Sequence, residues 1–124
     1  MQILEWRGDD QASGLTRFLP AWGEGTPVAA AGLDTKIRLS KPGHIGRLRI
    51  DTDNSPAGAT NYTLAIMING VGSALNAAIA NPNTFATDDE KVAVASGNEL
   101  DARLVTDALS GATGKIRVQI TFFD

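Results

Sequence analysis

The chain has no cysteine. Disulfide scaffolds, thiol nucleophiles and cysteine-ligated zinc are therefore excluded together, and stability has to come from packing. Histidine occurs once, as His44, with no serine in a recognisable nucleophile motif to accompany it. Neither a GxGxxG run nor a P-loop appears, so nothing in the sequence cradles a phosphate. No stretch of eighteen apolar residues exists to form a bilayer-spanning helix, and no membrane partner is expected. The opening Met1-Gln2-Ile3-Leu4-Glu5-Trp6-Arg7 lacks the basic start and long apolar run of a secretory signal, which leads us to expect synthesis and retention in a cytoplasm, or assembly there. Excess positive charge is also missing. A net charge of -3 argues against nucleic acid as a partner.

What remains is an ordinary globular composition, 43% hydrophobic and 20% charged over 124 residues, the size of one compact domain. Its dominant pattern is alternation with period two. Ile116, Val118, Ile120 and Phe122 point one way and Lys115, Arg117, Gln119 and Thr121 the other, as a half-buried antiparallel strand requires. Phe123 breaks the pattern by placing a large apolar ring on the wet side. Ile37 and Leu39 alternate with Lys36 and Arg38, and Leu48 and Ile50 with Arg47, Arg49 and Asp51. These two runs flank a turn at Lys41-Pro42-Gly43-His44, and the cluster Lys36, Arg38, Lys41, Arg47 and Arg49 reads as a solvated face. Tyr62, Leu64, Ile66 and Ile68 precede Asn69-Gly70, whose residue types suit the positive φ angles of a type I′ hairpin turn. The returning run presents Val71, Leu75, Ala77 and Ile79, so residues 73–80 are expected as a strand despite a helix-compatible composition. Val92 and Val94, then Leu100, Ala102 and Leu104, complete at least seven strands separated by loops at 51–61, 81–89 and 107–114. The expected fold is all-β, an antiparallel β-sandwich of jelly-roll type, in a single domain spanning 1–124.

Residues 1–27 read differently from the core at 28–124. They hold both tryptophans, Trp6 and Trp22, with Phe18 and Leu19, among Gly8, Gly14, Pro20, Gly23, Gly25 and Pro27. Either this is an irregular N-terminal arm that packs against another surface, or its aromatics close one end of the sandwich. On the first reading Trp6, Phe18, Leu19, Trp22 and Phe123 form an oligomer or capsid interface.

Acidic residues cluster at Asp9-Asp10, at Asp51 with Asp53, and at Asp88-Asp89-Glu90, all in expected loops, where nothing separates their pKa values for acid and base work. Asp51-Thr52-Asp53-Asn54-Ser55 opens like a calcium loop, but Pro56 stands where that loop needs glycine and Tyr62 where it needs glutamate. Arg7-Gly8-Asp9 and Asn61-Tyr62-Thr63 match an integrin tripeptide and a glycosylation sequon, patterns short enough to arise by chance. No catalytic residue, metal or cofactor is expected.

The run Tyr62-Thr63-Leu64-Ala65-Ile66-Met67-Ile68-Asn69-Gly70-Val71, the run Val92-Ala93-Val94-Ala95-Ser96-Gly97-Asn98-Glu99-Leu100 and the closing Ile120-Thr121-Phe122-Phe123 together resemble the small jelly-roll domains of bacteriophage virion proteins. More distantly they resemble C1q/TNF-like jelly rolls. Those families carry a Val-Ala-x-x-Gly-Asp step before a core strand, and Asn98 here stands in place of its aspartate. The resemblance covers residues 37–124. It implies a homotrimeric capsid decoration (cement) protein, head fibre or tail appendage, residing in the virion after synthesis in a host cytoplasm, with copies of itself and the major capsid protein or another virion protein as partners. The rival expectation is a carbohydrate-binding or receptor-binding module of a phage tail or bacterial surface, with sugars stacking on Trp6, Trp22 or Tyr62. A hydrolase would need a buried acid pair that the sequence does not display.

Overall fold

A computed structural model describes residues 1–23 and 25–124. Among them are ten strands: β1 (Gln2–Gly8), β2 (Thr16–Phe18), β3 (Ile37–Arg38), β4 (Gly43–Thr52), β5 (Asn61–Ile68), β6 (Val71–Ala80), β7 (Phe85–Asp88), β8 (Val92–Val94), β9 (Glu99–Thr106) and β10 (Ile116–Phe123). They form two five-stranded antiparallel sheets. Sheet I runs β1-β10-β4-β7, with β8 also on β4; sheet II runs β2-β9-β5-β6, with β3 also on β9. The pairing is nested. The chain's outermost strands β1 and β10 pair from Gln2↔Phe122 to Gly8↔Ile116. Inside them β2 and β3 pair with β9, then β4 with β7 and β8, and innermost β5 with β6 across the Asn69-Gly70 turn. One long hairpin rolled on itself in this way places successive pairs in alternate sheets, which is the jelly roll. The all-β sandwich expected from the alternation is the fold observed.

The inward rows are the apolar ones. Leu4 and Trp6, Leu48 and Ile50, Leu64 and Ile66, Leu75 and Ile79, Leu100 and Leu104, and Val118 and Ile120 all lie in one buried cluster. Each such side chain contributes roughly 1.5–3 kcal/mol on full burial. The Asn69-Gly70 turn has φ angles of 51° and 80°, as a type I′ turn requires. Val71, expected inside, is exposed because it sits at the hairpin tip opposite Ile68, beyond the other sheet's cover.

Two irregularities depart from simple alternation. Between Gln119 and Thr121 the β4 register slips, so that Thr121 faces Gly46 while Gln119 faces Arg49. The extra β4 residue is a bulge that turns both Ile45 and Leu48 inward and throws Arg47 outward at φ 51°. His44, expected in a turn, is an exposed residue of β4 opposite Phe123. Residues 39–42 do not join a hairpin either. They carry the chain from β3 in sheet II across to β4 in sheet I. Strand β7, inside the expected 81–89 loop, was hidden because its exposed Phe85 and Thr87 sit on an edge.

The first residues are not an irregular arm. β1 is paired with β10 along its whole length, and its alternation of Leu4, Trp6 and Gly8 inward with Glu5 and Arg7 outward is that of any half-buried strand. Trp6 and Leu19, expected at an interface, are each 0% exposed and belong to the core. The reading in which the aromatics close the sandwich describes them.

Gly43 begins β4 where the backbone passes Phe122 and Phe123. A Cβ there would overlap the Phe123 carbonyl oxygen and lie 2.9 Å from the Phe122 ring. Overpacking of this kind costs about 1–3 kcal/mol. Gly43→Ala is expected to lower the unfolding free energy by that amount, read as a lower urea midpoint, without altering the far-ultraviolet spectrum; a midpoint equal to wild type would show that the strand end gives way freely.

Candidate functional site

A two-sheet sandwich has open sides, and here residues 19–23 and 25–36 build a wall across one of them. After β2 the chain leaves sheet II, with Leu19 N–H still donating to Ala102 O at 3.0 Å. It then reaches the free edge of sheet I, where Arg7 N–H donates to Pro20 O, Trp22 N–H to Glu5 O and Asp9 N–H to Gly25 O, at 2.9–3.0 Å. Val28 returns to exchange two backbone hydrogen bonds with Phe18. The edges of β1 and β2 are thus covered, as exposed edges in stable sandwiches need to be.

Within this wall Trp22 is 57% exposed and holds φ 64°. A bulky residue in the left-handed region costs about 1–2 kcal/mol and persists only where surroundings enforce it. The Trp22 N–H bond to Glu5 and the Ala21 N–H bond to Asp34 O at 2.8 Å supply that enforcement. The turn directs the indole away from the core and over a shallow open depression that also involves Pro20, Val28, Leu33, Asp34 and Lys36. Leu33 is 93% exposed and Val28 is exposed beside it. The two tryptophans therefore have opposite roles, one interior and one displayed.

Beneath the depression the wall is tied to both sheets. Trp6 Nε1 donates to Thr35 O at 2.9 Å, and the Thr35 hydroxyl lies 2.7 Å from Asp101 Oδ1 on β9. That hydroxyl also accepts from Gly32 N–H and lies 3.0 Å from Gly32 O. It has one hydrogen for two acceptors. Thr35 Oγ1 is thus shared as a donor between Asp101 Oδ1 and Gly32 O. Burial pushes the Asp101 carboxyl above the usual carboxylate range and Glu99 adds to this, while the Thr35 hydrogen bond and the Lys36 charge pull the other way. Asp101 Oδ2 finds no partner among the described residues.

The remaining expected interface residues lie apart from this patch. Phe18 is half-buried on the outer side of sheet II opposite Arg103. Phe123 is on the outer side of sheet I, where Arg47 and Lys91 approach its ring centroid at 5.1 and 4.6 Å. Contacts of this kind are worth about 0.5–1 kcal/mol at the surface, so Phe123 is not spare apolar area. Of the three aromatics considered for sugar stacking, Trp6 and Tyr62 are fully buried, the latter with its hydroxyl donating to Ala112 O at 3.2 Å. Only Trp22 is placed to stack on anything.

The acidic loops act as local ties. Asp53 accepts from Lys115 N–H, Asp10 from Gly114 N–H and Asp107 from Asn61 N–H. Among the described residues no group of three or more His, Asp or Glu side chains converges where a metal could be held. Compared with known protein families and with curated proteins, the sequence matches none of them.

Sequence reasoning missed Val28, Leu33, Thr35 and Asp101. Leu33 stands alone among Ala, Gly and Asp, with no periodicity to give it a face. Asp101 alternates with Leu100 and Ala102 like any outward strand residue; its burial arises from Thr35, distant in sequence.

Two expectations follow. Trp6→Ala is expected to destabilise the protein by about 3–5 kcal/mol, and Trp22→Ala to stay within about 0.5 kcal/mol of wild type. Iodide is expected to quench only the emission lost in Trp22→Ala; equal quenching of both indoles would contradict the arrangement. The second concerns Asp101. Its folded-state pKa is raised, so its contribution is complete below the ordinary carboxylate value and is lost as pH rises through the folded value. Asp101→Asn, neutral and able to accept from Thr35 through its Oδ1, should therefore gain stability relative to wild type as pH rises through that window. Parallel urea curves for the two proteins at every pH would disprove this.

Proposed function

We propose that the chain is a non-enzymatic structural subunit of an assembled particle, a virion decoration protein that attaches to its support through the surface around Trp22. The observation that carries this reading is the displayed apolar set Trp22, Val28 and Leu33, of which Trp22 and Val28 are fixed by backbone hydrogen bonds to β1 and β2. A large aromatic held in advance in a strained conformation loses little entropy when another surface covers it. Buried aromatics of this kind anchor most interfaces. The jelly-roll strand order is also the fold implied by the likeness to virion proteins, although a fold shared by many activities does not assign one.

A second reading draws on the same indole. Trp22 lies beside Asp34 and Lys36, a pairing of aromatic face and polar groups suited to a sugar ring.

The test is composition. In virus particles purified from cultures that carry the gene, the chain is expected in fixed ratio to the major capsid protein, and the Trp22→Ala chain is expected in the unassembled fraction. A wild-type chain missing from particles would end the virion proposal. Glycan-array binding abolished by Trp22→Ala would transfer the site to the sugar reading.

A further inference from the structure

Thr35 is the single buried residue between Pro27 and Ile37. The seven residues from Val28 to Asp34 are all exposed, so none of their side chains roots this part of the wall in the core. Val28 is held at one end by its two backbone bonds to Phe18, and at the other end Asp34 O accepts from Ala21 N–H. Among the described residues, the remaining hydrogen bonds of 28–35 pass through Thr35. Its carbonyl accepts from the Trp6 indole, its N–H donates to Gly32 O at 3.1 Å, and its hydroxyl closes the turn at Gly32 and meets Asp101. Ordering an exposed segment costs backbone entropy at every residue. Here one side chain carries most of what offsets it.

The group that Thr35 meets is poorly prepared for a charge. Asp101 stands at an outward position of β9, between the end of β2 at Phe18 opposite Arg103 and the start of β3 at Ile37 opposite Leu100, yet it is 1% exposed. Its Oδ1 receives a hydroxyl hydrogen shared with Gly32 O, and its Oδ2 has no donor among the described residues. An ionised carboxylate has room for several hydrogen bonds, so closing the wall over it removes solvation that one shared hydroxyl does not replace.

The surrounding charges do not make up the deficit. Lys36, next to Thr35, pairs at 3.8 Å with Glu99, two residues before Asp101 on β9. Arg103, two residues after it, has its own Nε buried without an acceptor, so these two unpartnered groups do not reach each other. Arg38 on β3 is in register with Glu99, Arg17 on β2 with Leu104, and β5 places the uncharged Met67 opposite Asp101. Asp34 in the wall is exposed, and Glu5 and Arg7 on β1 point outward from sheet I.

We infer that the Thr35–Asp101 contact is a latch on the exposed segment 29–34, and that ionisation of Asp101 releases it. This rests on the reading of the Trp22 surface as the attachment site, since Leu33 and one side of the depression beside Trp22 belong to that segment, and it names how the surface is regulated. Closing the wall pushes the carboxyl above its ordinary range, and opening returns it to water. Closure therefore takes up a proton. It is complete below the ordinary carboxylate value and is lost as pH rises through the closed-state value. Release is local, because β9 keeps its pairing with β5 from Tyr62↔Thr106 to Ile68↔Leu100.

The experiment is hydrogen exchange of the full chain followed by nuclear magnetic resonance from about pH 4 to 8, a range spanning the carboxylate window. The reporters are the Trp6 indole N–H and the residue 35 amide, both bonded to backbone oxygens that no side-chain substitution removes. Amides of β5 and β9 serve as the internal reference. Comparing wild type with Asp101→Asn at each pH cancels the chemical dependence of exchange on hydroxide. The wild-type to variant ratio at the two reporters is expected to rise by up to about tenfold per pH unit within the window, as loss of one proton requires, while the ratio in β5 and β9 stays at one. Thr35→Val is expected to exchange rapidly at both reporters at every pH, and Thr35→Ser, which keeps the hydroxyl, to behave as wild type. If Asp101→Asn does not fold, Thr35→Val replaces it as the reference, having no latch to titrate. A ratio independent of pH, or a Thr35→Val chain as protected as wild type, would overturn the inference. A chain present in fixed ratio on purified particles with pH-independent exchange would strike the latch alone; a titrating latch in a chain absent from particles would strike the attachment reading alone.

Discussion

The indole of Trp6 occupies the point where three parts of the chain meet. It lies on β1 in sheet I, is wholly buried, and donates to the carbonyl of Thr35 in the wall. Thr35 in turn reaches Asp101 on β9 in sheet II. A nested jelly roll specifies which strands are neighbours within each sheet, but the side where β1 and β2 run free has no strand to close it. The Trp6, Thr35 and Asp101 contacts close it and tie the described residues of the wall to both sheets. Thr35 follows directly on Asp34, whose carbonyl accepts from Ala21 N–H beside the left-handed turn that displays Trp22. The most exposed feature of the wall therefore depends on the most buried.

The legible parts of the sequence were those governed by neighbours in the chain. Strand β10 could be read from Ile116 to Phe122, and the Asn69-Gly70 turn from two residues, because alternation and positive φ are local demands. β1 carried the same alternation in Leu4, Trp6 and Gly8, yet the glycines and prolines after it drew the whole stretch into an apparent arm. Two tryptophans in one segment gave no local means of separating a core residue from a displayed one. That distinction is made by the partner strand β10 for Trp6 and by a backbone turn for Trp22, and neither is encoded within a few residues of the indole. The bulge at Gly46 and Arg47 was equally hidden, since an extra residue appears only against the register of the strand beside it.

Charged residues show the same limit. Phe123 reads as surplus apolar surface in sequence, but Arg47 and Lys91, from the bulge and from the segment before β8, lie against its ring. Arg49 lies 4.6 Å from the centroid of Phe85 and also holds Asp51 through two hydrogen bonds of 2.9 Å. Individually such surface contacts stabilise little. Collectively they make the outer side of sheet I polar and internally partnered, with its aromatics occupied by cations of the same molecule.

Sheet II solves its exposed side by the opposite means. It spends no charge on β5 or β6 and places alanine where a solitary strand would use threonine or lysine. A protein selected only to remain dispersed would distribute charge over both faces, because charge keeps flat strands from meeting. The difference between the two faces cannot be explained by the core, for the inward rows of both sheets are equally apolar and equally buried. Sheet I carries partnered charge over its outer side, whereas sheet II carries its outward charges on β9 and none on β5 or β6.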